Sequence, residues 1–287
     1  TNNLKGIIPG NTRFMTMDWF VDVLKQEKAT DRFNVETIYY MYSNNDVETL
    51  SQTEAAEAEE ELSSGVKWIS FKQKFFSYAI VSKDSFDDAF VEMHTKSRPS
   101  NSRYQKSMSA IIDIPFDGLN EDNTIGMSYY FGPNDFKELK QYDINLEKQI
   151  PLGGKLVAWI NRLIVIPVFD WLGQYGWSYG VVILILTLII KICLMPIAFK
   201  SYMSSAKMRV LKPEIDAINA KYPKPDDAMK KQQAIMDLYK KAGASPTSGC
   251  LPMLLQFPIL IAIFRFFPSS IELRQQSFLW ADDLSTY

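Results

Sequence analysis

A 21-residue stretch from Tyr179 to Phe199 contains one charged side chain, Lys191, and is otherwise apolar or weakly polar. A helix rises about 1.5 Å per residue, so this length covers a hydrocarbon core about 30 Å thick and predicts a transmembrane helix. A lysine at the centre of such a helix costs roughly 2.5 to 3.5 kcal/mol even on insertion scales. Lys191 therefore marks either a function inside the membrane or a side chain that snorkels to the headgroups, about 12 Å away at Phe199.

Around this helix the chain divides into two unlike parts. Residues 1–154 hold 16 Lys/Arg against 24 Asp/Glu, whereas residues 155–287 hold 15 against 9, so the overall charge of -2 conceals an acidic half and a basic half. In the acidic half, "FNVETIYYMYS", "VKWISFKQKFFSYAIVS", "DAFVEMHT", "SMSAIIDIPF" and "TIGMSYYFG" alternate with a period near two between turn-forming residues. That pattern predicts an antiparallel β-sandwich over residues 1–150. "DWFVDVLK" reads equally as a strand or a short helix, and "ETLSQTEAAEAEEELSS" as an exposed connection or a helix. "NDFKELKQYDINLEKQI" reads as a closing helix and linker, ended by Pro151 and the Gly153–Gly154 pair.

The basic half opens with "KLVAWINRLIVIPVFDWLGQYGW", in which Leu156, Trp159, Ile160, Leu163 and Ile164 share a helical face. Trp159, Trp171, Tyr175 and Trp177 suit the headgroup level. Residues 151–175 are thus expected to form an amphipathic helix in the membrane interface, the alternative being a buried helix of the soluble domain. Residues 176–199 form the first transmembrane helix, and residues 250–268 a second that tolerates Pro252, Gln256, Pro258 and Arg265. The intervening residues 200–249 carry 10 basic and 5 acidic side chains, which places them in the cytoplasm and residues 1–154 outside. Within them "SAKMRVLKPEIDAINAKY" and "DAMKKQQAIMDLYKKAGASP" predict a helical, coiled-coil-like hairpin, with Asp226 as a cap in the turn.

Several chemistries are excluded. Neither apolar run contains a histidine or an acid, so an intramembrane protease is not expected. No phosphate-binding glycine loop is present. His94 has no neighbouring His or Cys to complete a metal site, so no metal and no cofactor is expected, and an enzyme is not indicated. Cys193 reads as packing in lipid, and Cys250 as a candidate for lipidation at the headgroups. The basic loop lacks the aromatic interleaving of direct nucleic-acid readout.

The motifs "YYFGP", "TLIIKICLMP", "SAKMRVLKPEI", "LYKKAGASPTSGCLPMLLQFPI" and "IELRQQSFLWADDLS", in this order with the amphipathic helix, resemble the YidC-type membrane-protein insertases of Gram-negative bacteria. The resemblance is strongest from Trp68 to Tyr287. It implies a multi-pass inner-membrane protein with residues 1–154 periplasmic, residues 200–249 cytoplasmic and residues 269–287 opening a periplasmic loop. The chain looks like a fragment, starting inside the periplasmic domain and stopping before the last three of five core helices. The resemblance further implies a hydrophilic intramembrane groove holding one positive residue. Lys191 stands at the position where most bacterial members carry arginine; Thr187 lies one turn before it, and Gln256 is the polar group of the second helix. Such a groove would receive nascent membrane proteins within the lipid bilayer and help them insert and fold. The ribosome, the signal recognition particle receptor and the Sec translocon are implied as partners. The competing reading is a membrane-anchored periplasmic ligand-binding or scaffolding protein in which the helices serve only as anchors.

Overall fold

The computed structural model describes residues 11–27, 36–50, 57–63, 65–95, 103–116, 125–223, 227–243 and 251–285. The chain forms two compact units: Thr1–Pro151 with Arg265–Tyr287, and Leu152–Phe264.

The first unit is the expected sandwich. A four-stranded sheet in the order β1-β8-β7-β4 faces a five-stranded sheet in the order β3-β2-β5-β6-β9. The strands are β1 (Phe14–Leu24), β2 (Thr37–Tyr42), β3 (Val47–Thr49), β4 (Glu57–Leu62), β5 (Val66–Lys72), β6 (Phe76–Phe86), β7 (Asp88–Thr95), β8 (Tyr104–Pro115) and β9 (Met127–Pro133). Every pairing is antiparallel. Successive side chains point to opposite faces of a strand, so alternate residues meet between the sheets. Ile69, Phe71 and Ile80 from one sheet and Val91, Met108 and Ile112 from the other are fully buried in this core. Trp19 of β1 stacks on Phe71 with ring centres 4.3 Å apart. "DWFVDVLK" is thereby resolved as strand.

Part of the acidic stretch read as a connection or helix is a strand instead. Glu57, Glu59 and Glu61 of β4 are exposed while Ala58, Glu60 and Leu62 turn inward; residues 51–56 lie outside the described residues. Glu60 reaches Tyr40, whose hydroxyl is pushed up first by burial and then by that carboxylate. Charged residues on such an edge strand also discourage pairing with a second sheet. His94 falls on β7 opposite Glu57 of β4.

The other face of the five-stranded sheet is covered by the closing segment, α1 (Phe136–Lys140) and a 3-10 turn at Leu146–Gln149. Trp68, fully buried, donates its indole N–H to Ile144 O at 2.8 Å. Ser70 Oγ donates to Gln149 Oε1 at 2.7 Å. Asn134 is held by Ser77 and donates to Gln73 O at 2.9 Å. The segment Arg265–Tyr287 belongs to the same unit. Arg274 pairs with Glu27 at 2.9 Å, Lys74 Nζ donates to Ser285 O at 3.3 Å, and Leu273 is fully buried.

The second unit is helical. A 19-residue helix, Lys155–Gly173, comprises α2 (Lys155–Ile160), a π turn at Asn161–Val165 and α3 (Ile166–Gly173). Pro167 lacks the N–H that the regular ladder needs, which accounts for the wider turn just before it. Gly153, with φ of 97°, makes the left-handed bend that starts this helix, and Asn161 Nδ2 clamps the bend by donating to Leu152 O at 3.1 Å. Next come α4 (Tyr179–Val210), α5 (Lys212–Lys221), α6 (Ala228–Lys241) and α7 (Leu251–Phe266). In the hairpin of α5 and α6, Ile215, Ile218, Ile235 and Leu238 are half-buried. Asp226, the expected cap, and Cys250 lie outside the described residues. Asp227 precedes α6 and makes no cap hydrogen bond, pairing instead with Lys230 at 3.3 Å.

Candidate functional site

The helices of the second unit are long and apolar enough to cross a membrane at Lys155–Gly173 and Tyr179–Val210, and a shorter apolar helix spans Met253–Ser269. The sequence stripe on the first of these separates in space. Leu156, Trp159 and Leu163 are more than half exposed, whereas Ile160, Val165, Ile166, Phe169 and Leu172 are buried. The helix therefore has a protein-facing side and an apolar outer side. Trp171, Tyr175 and Trp177 continue outward as a ladder, with ring centres 5.4 and 5.2 Å apart.

Helix α4 runs for 32 residues without a break, about 48 Å, and passes Lys200 where the charge pattern begins the water-facing loop. Leu184, Leu188, Ile192, Met195 and Phe199 expose more than half of their surface along it. A solvent-facing helix would carry polar residues there, so this face fits lipid. Thr187 satisfies its hydroxyl within the helix, donating to Leu184 O at 2.8 Å. Lys191 is exposed one turn further on, and Cys193 is exposed beside it.

Where α4 meets α7 an open groove of 460 Å³ forms, lined by Ala198, Ser201, Tyr202 and Ser205 from α4 and by Met253, Gln256, Phe257 and Leu260 from α7. Half of these residues carry hydroxyl or amide groups and half are apolar. Such a wall can hydrogen-bond the polar groups of a polypeptide while its apolar members hold the side chains between. Among the described residues that line it, Tyr202 is the titratable one. Gln256 is placed in the groove; Thr187 and Lys191 are not among the residues lining it. At 3.6 residues per turn, however, Lys191 shares a stripe of α4 with Ala198, Tyr202 and Ser205, starting about 10 Å before Ala198 along the axis. The serines at 201 and 205 were the missed signal. Small hydroxyl residues four apart lie on one helix face, and here they sit in what reads as a charged loop. Among the described residues, no cluster of three or more His, Cys, Asp or Glu could hold a metal ion.

The profile of the YidC periplasmic domain matches residues 14–167, and that of the 60Kd inner membrane protein matches residues 171–287. Proteins named membrane protein insertase YidC are similar over nearly the whole chain. That of Parabacteroides distasonis is 45% identical over 99% of this chain and 45% of the relative. That of Bacteroides fragilis is 46% identical over 99% of this chain and 46% of the relative. That of Porphyromonas gingivalis is 40% identical over 99% of this chain and 47% of the relative. The chain thus spans just under half the length of these curated relatives.

Proposed function

The chain belongs to the YidC family of membrane protein insertases, and from that premise we propose that it receives segments of new membrane proteins at the groove between α4 and α7 and helps them insert and fold. The observation that carries this reading is the half-polar, half-apolar lining of that groove, set in helices whose outer faces are largely apolar. Water and hydroxyl groups there lower the cost of bringing a client's polar stretch into the membrane, while its apolar stretch slides onto the greasy exterior and partitions into lipid. Partitioning supplies most of the free energy, so neither nucleotide nor covalent step is required.

In this reading Lys191 supplies a positive charge upstream of the groove wall on the same stripe, with Thr187 one turn before it and Gln256 on the wall that α7 contributes. An ammonium held in a low-dielectric setting attracts acidic client residues strongly. Residues 1–154 face the periplasm and residues 200–249 the cytoplasm of an inner-membrane, multi-pass protein, in which the helix of residues 151–175 lies in the interface. The basic hairpin at 200–249 is the surface through which the ribosome, the signal recognition particle receptor or the Sec translocon would hand over clients. The direct test compares full-length proteins carrying Lys191→Glu, Lys191→Leu and Lys191→Arg in reconstituted vesicles. Insertion of clients with acidic translocated tails falls for glutamate and leucine and is retained for arginine. Equal insertion by all three removes Lys191 from the mechanism.

A further inference from the structure

The segment after α7 closes on a turn that its own residues resist. Phe278 and Ala281 exchange both backbone hydrogen bonds, at 2.9 and 3.0 Å, leaving Leu279 and Trp280 as a two-residue tip. Leu279 adopts φ of 54°. That left-handed conformation favours glycine, asparagine or aspartate, and the turn instead carries two large apolar side chains. Leu279 is 76% and Trp280 90% exposed, the latter the most exposed large apolar residue among those described.

This exposure does not come from a loose end. Leu284 N–H donates to Gln276 O at 2.9 Å below the tip. Ser285 N–H and Oγ donate to Asp283 Oδ1 at 2.8 and 2.7 Å. The base is further tied down by Lys74 on Ser285 O and by the Arg274–Glu27 pair. A fastened hairpin that holds leucine and tryptophan outward, against its backbone preference, is placed to touch something apolar.

The surroundings select the occupant. The apolar helix Met253–Ser269 ends nine residues before Phe278, a span of at most about 30 Å of extended chain, so the surface at which that helix emerges is within the tip's reach. Tryptophan is the side chain that favours the boundary between headgroups and hydrocarbon. Asp282 and Asp283 follow after Ala281, and two carboxylates oppose both deep burial and anionic lipid. We propose that the Leu279–Trp280 turn is a shallow membrane anchor, seated among zwitterionic headgroups on the side of the bilayer where α7 ends. It goes beyond client handling but rests on α7 being a membrane span.

The test places a nitroxide at Trp280→Cys, and separately at Phe264→Cys on the exposed face of α7, in the full-length protein with native cysteines replaced by serine, in phosphatidylcholine nanodiscs. Collisions with oxygen report lipid, and collisions with a water-soluble nickel chelate report water. The expected result is oxygen exceeding nickel at both positions. Nickel exceeding oxygen at 280 with the reverse at 264 overturns the anchor and leaves the span intact. Low access to both reagents at 280 means that protein covers the tip, and likewise overturns it. Nickel exceeding oxygen at both positions overturns the span along with the anchor.

Discussion

Arg274 Nε stands 2.9 Å from Glu27 Oε1, joining positions 247 residues apart. The same guanidinium faces the rings of Phe75 and Phe76, 5.6 Å from each centre, and both ends of the pair are largely shielded from water. The segment after α7 is therefore fastened to the sandwich by charge and by aromatic contact together. Arg274→Ala is expected to weaken this docking by about 1–2 kcal/mol. Hydrogen exchange should show amides of residues 269–285 exchanging roughly tenfold faster, with β5 and β6 unchanged.

The docking should also respond to pH. Burial pushes the Glu272 carboxyl up to about 6, against a hydrogen bond from Ser270 that pulls it down, and Asp135 adds to the rise. Tyr130 and Glu138 share the surroundings of Asp135. The docked form holds its proton more tightly than a free glutamate at 4.5, so docking gains stability as pH falls from 6 towards 4.5 and loses that contribution above 6. Proteolysis of the segment should be slower at pH 5 than at pH 7.5. Glu272→Gln should abolish the difference and leave the segment protected at both.

Trp68 ties the five-stranded sheet to its outer cover through one indole hydrogen bond. Trp68→Phe keeps most of the apolar volume and strands the carbonyl of Ile144, at an expected cost of about 1–3 kcal/mol. Thermal unfolding of the full chain in detergent, followed at the β-sheet circular dichroism band, should shift to lower temperature.

In the groove, Gln256→Leu removes an amide without shortening the wall. If one hydrogen bond to a client is worth about 1 kcal/mol, occupancy should fall by about fivefold. Photocrosslinking from position 205 to a stalled nascent membrane protein measures it. An unchanged yield would remove Gln256 from client contact.

The period-two alternation in β7 and β8 made the sandwich legible, because a half-buried strand must alternate, whereas β5 is buried on both faces, against the core and under the closing segment. The unbroken apolar run of α4 was equally plain. β4 was not, since its outward glutamates resemble a solvated linker and only pairing with β7 shows that Glu60 turns inward to Tyr40. Gln256 could be singled out as a polar residue among apolar ones, whereas Ser201 and Ser205 offered only their four-residue spacing, which a charge-rich flank obscures because it hides whether a helix continues. Contacts such as Arg274–Glu27 depend on chain paths that no local pattern encodes.

Because α4 continues unbroken past Pro196 to Val210, the groove wall and the base of the hairpin share a single axle. Val210 lies about 14 Å beyond Ser201, with no intervening proline or glycine to absorb torsion. A rotation of the helix at the base of the hairpin would thus arrive at the two serines as rotation of the wall itself, so neither end of this stretch can turn independently of the other.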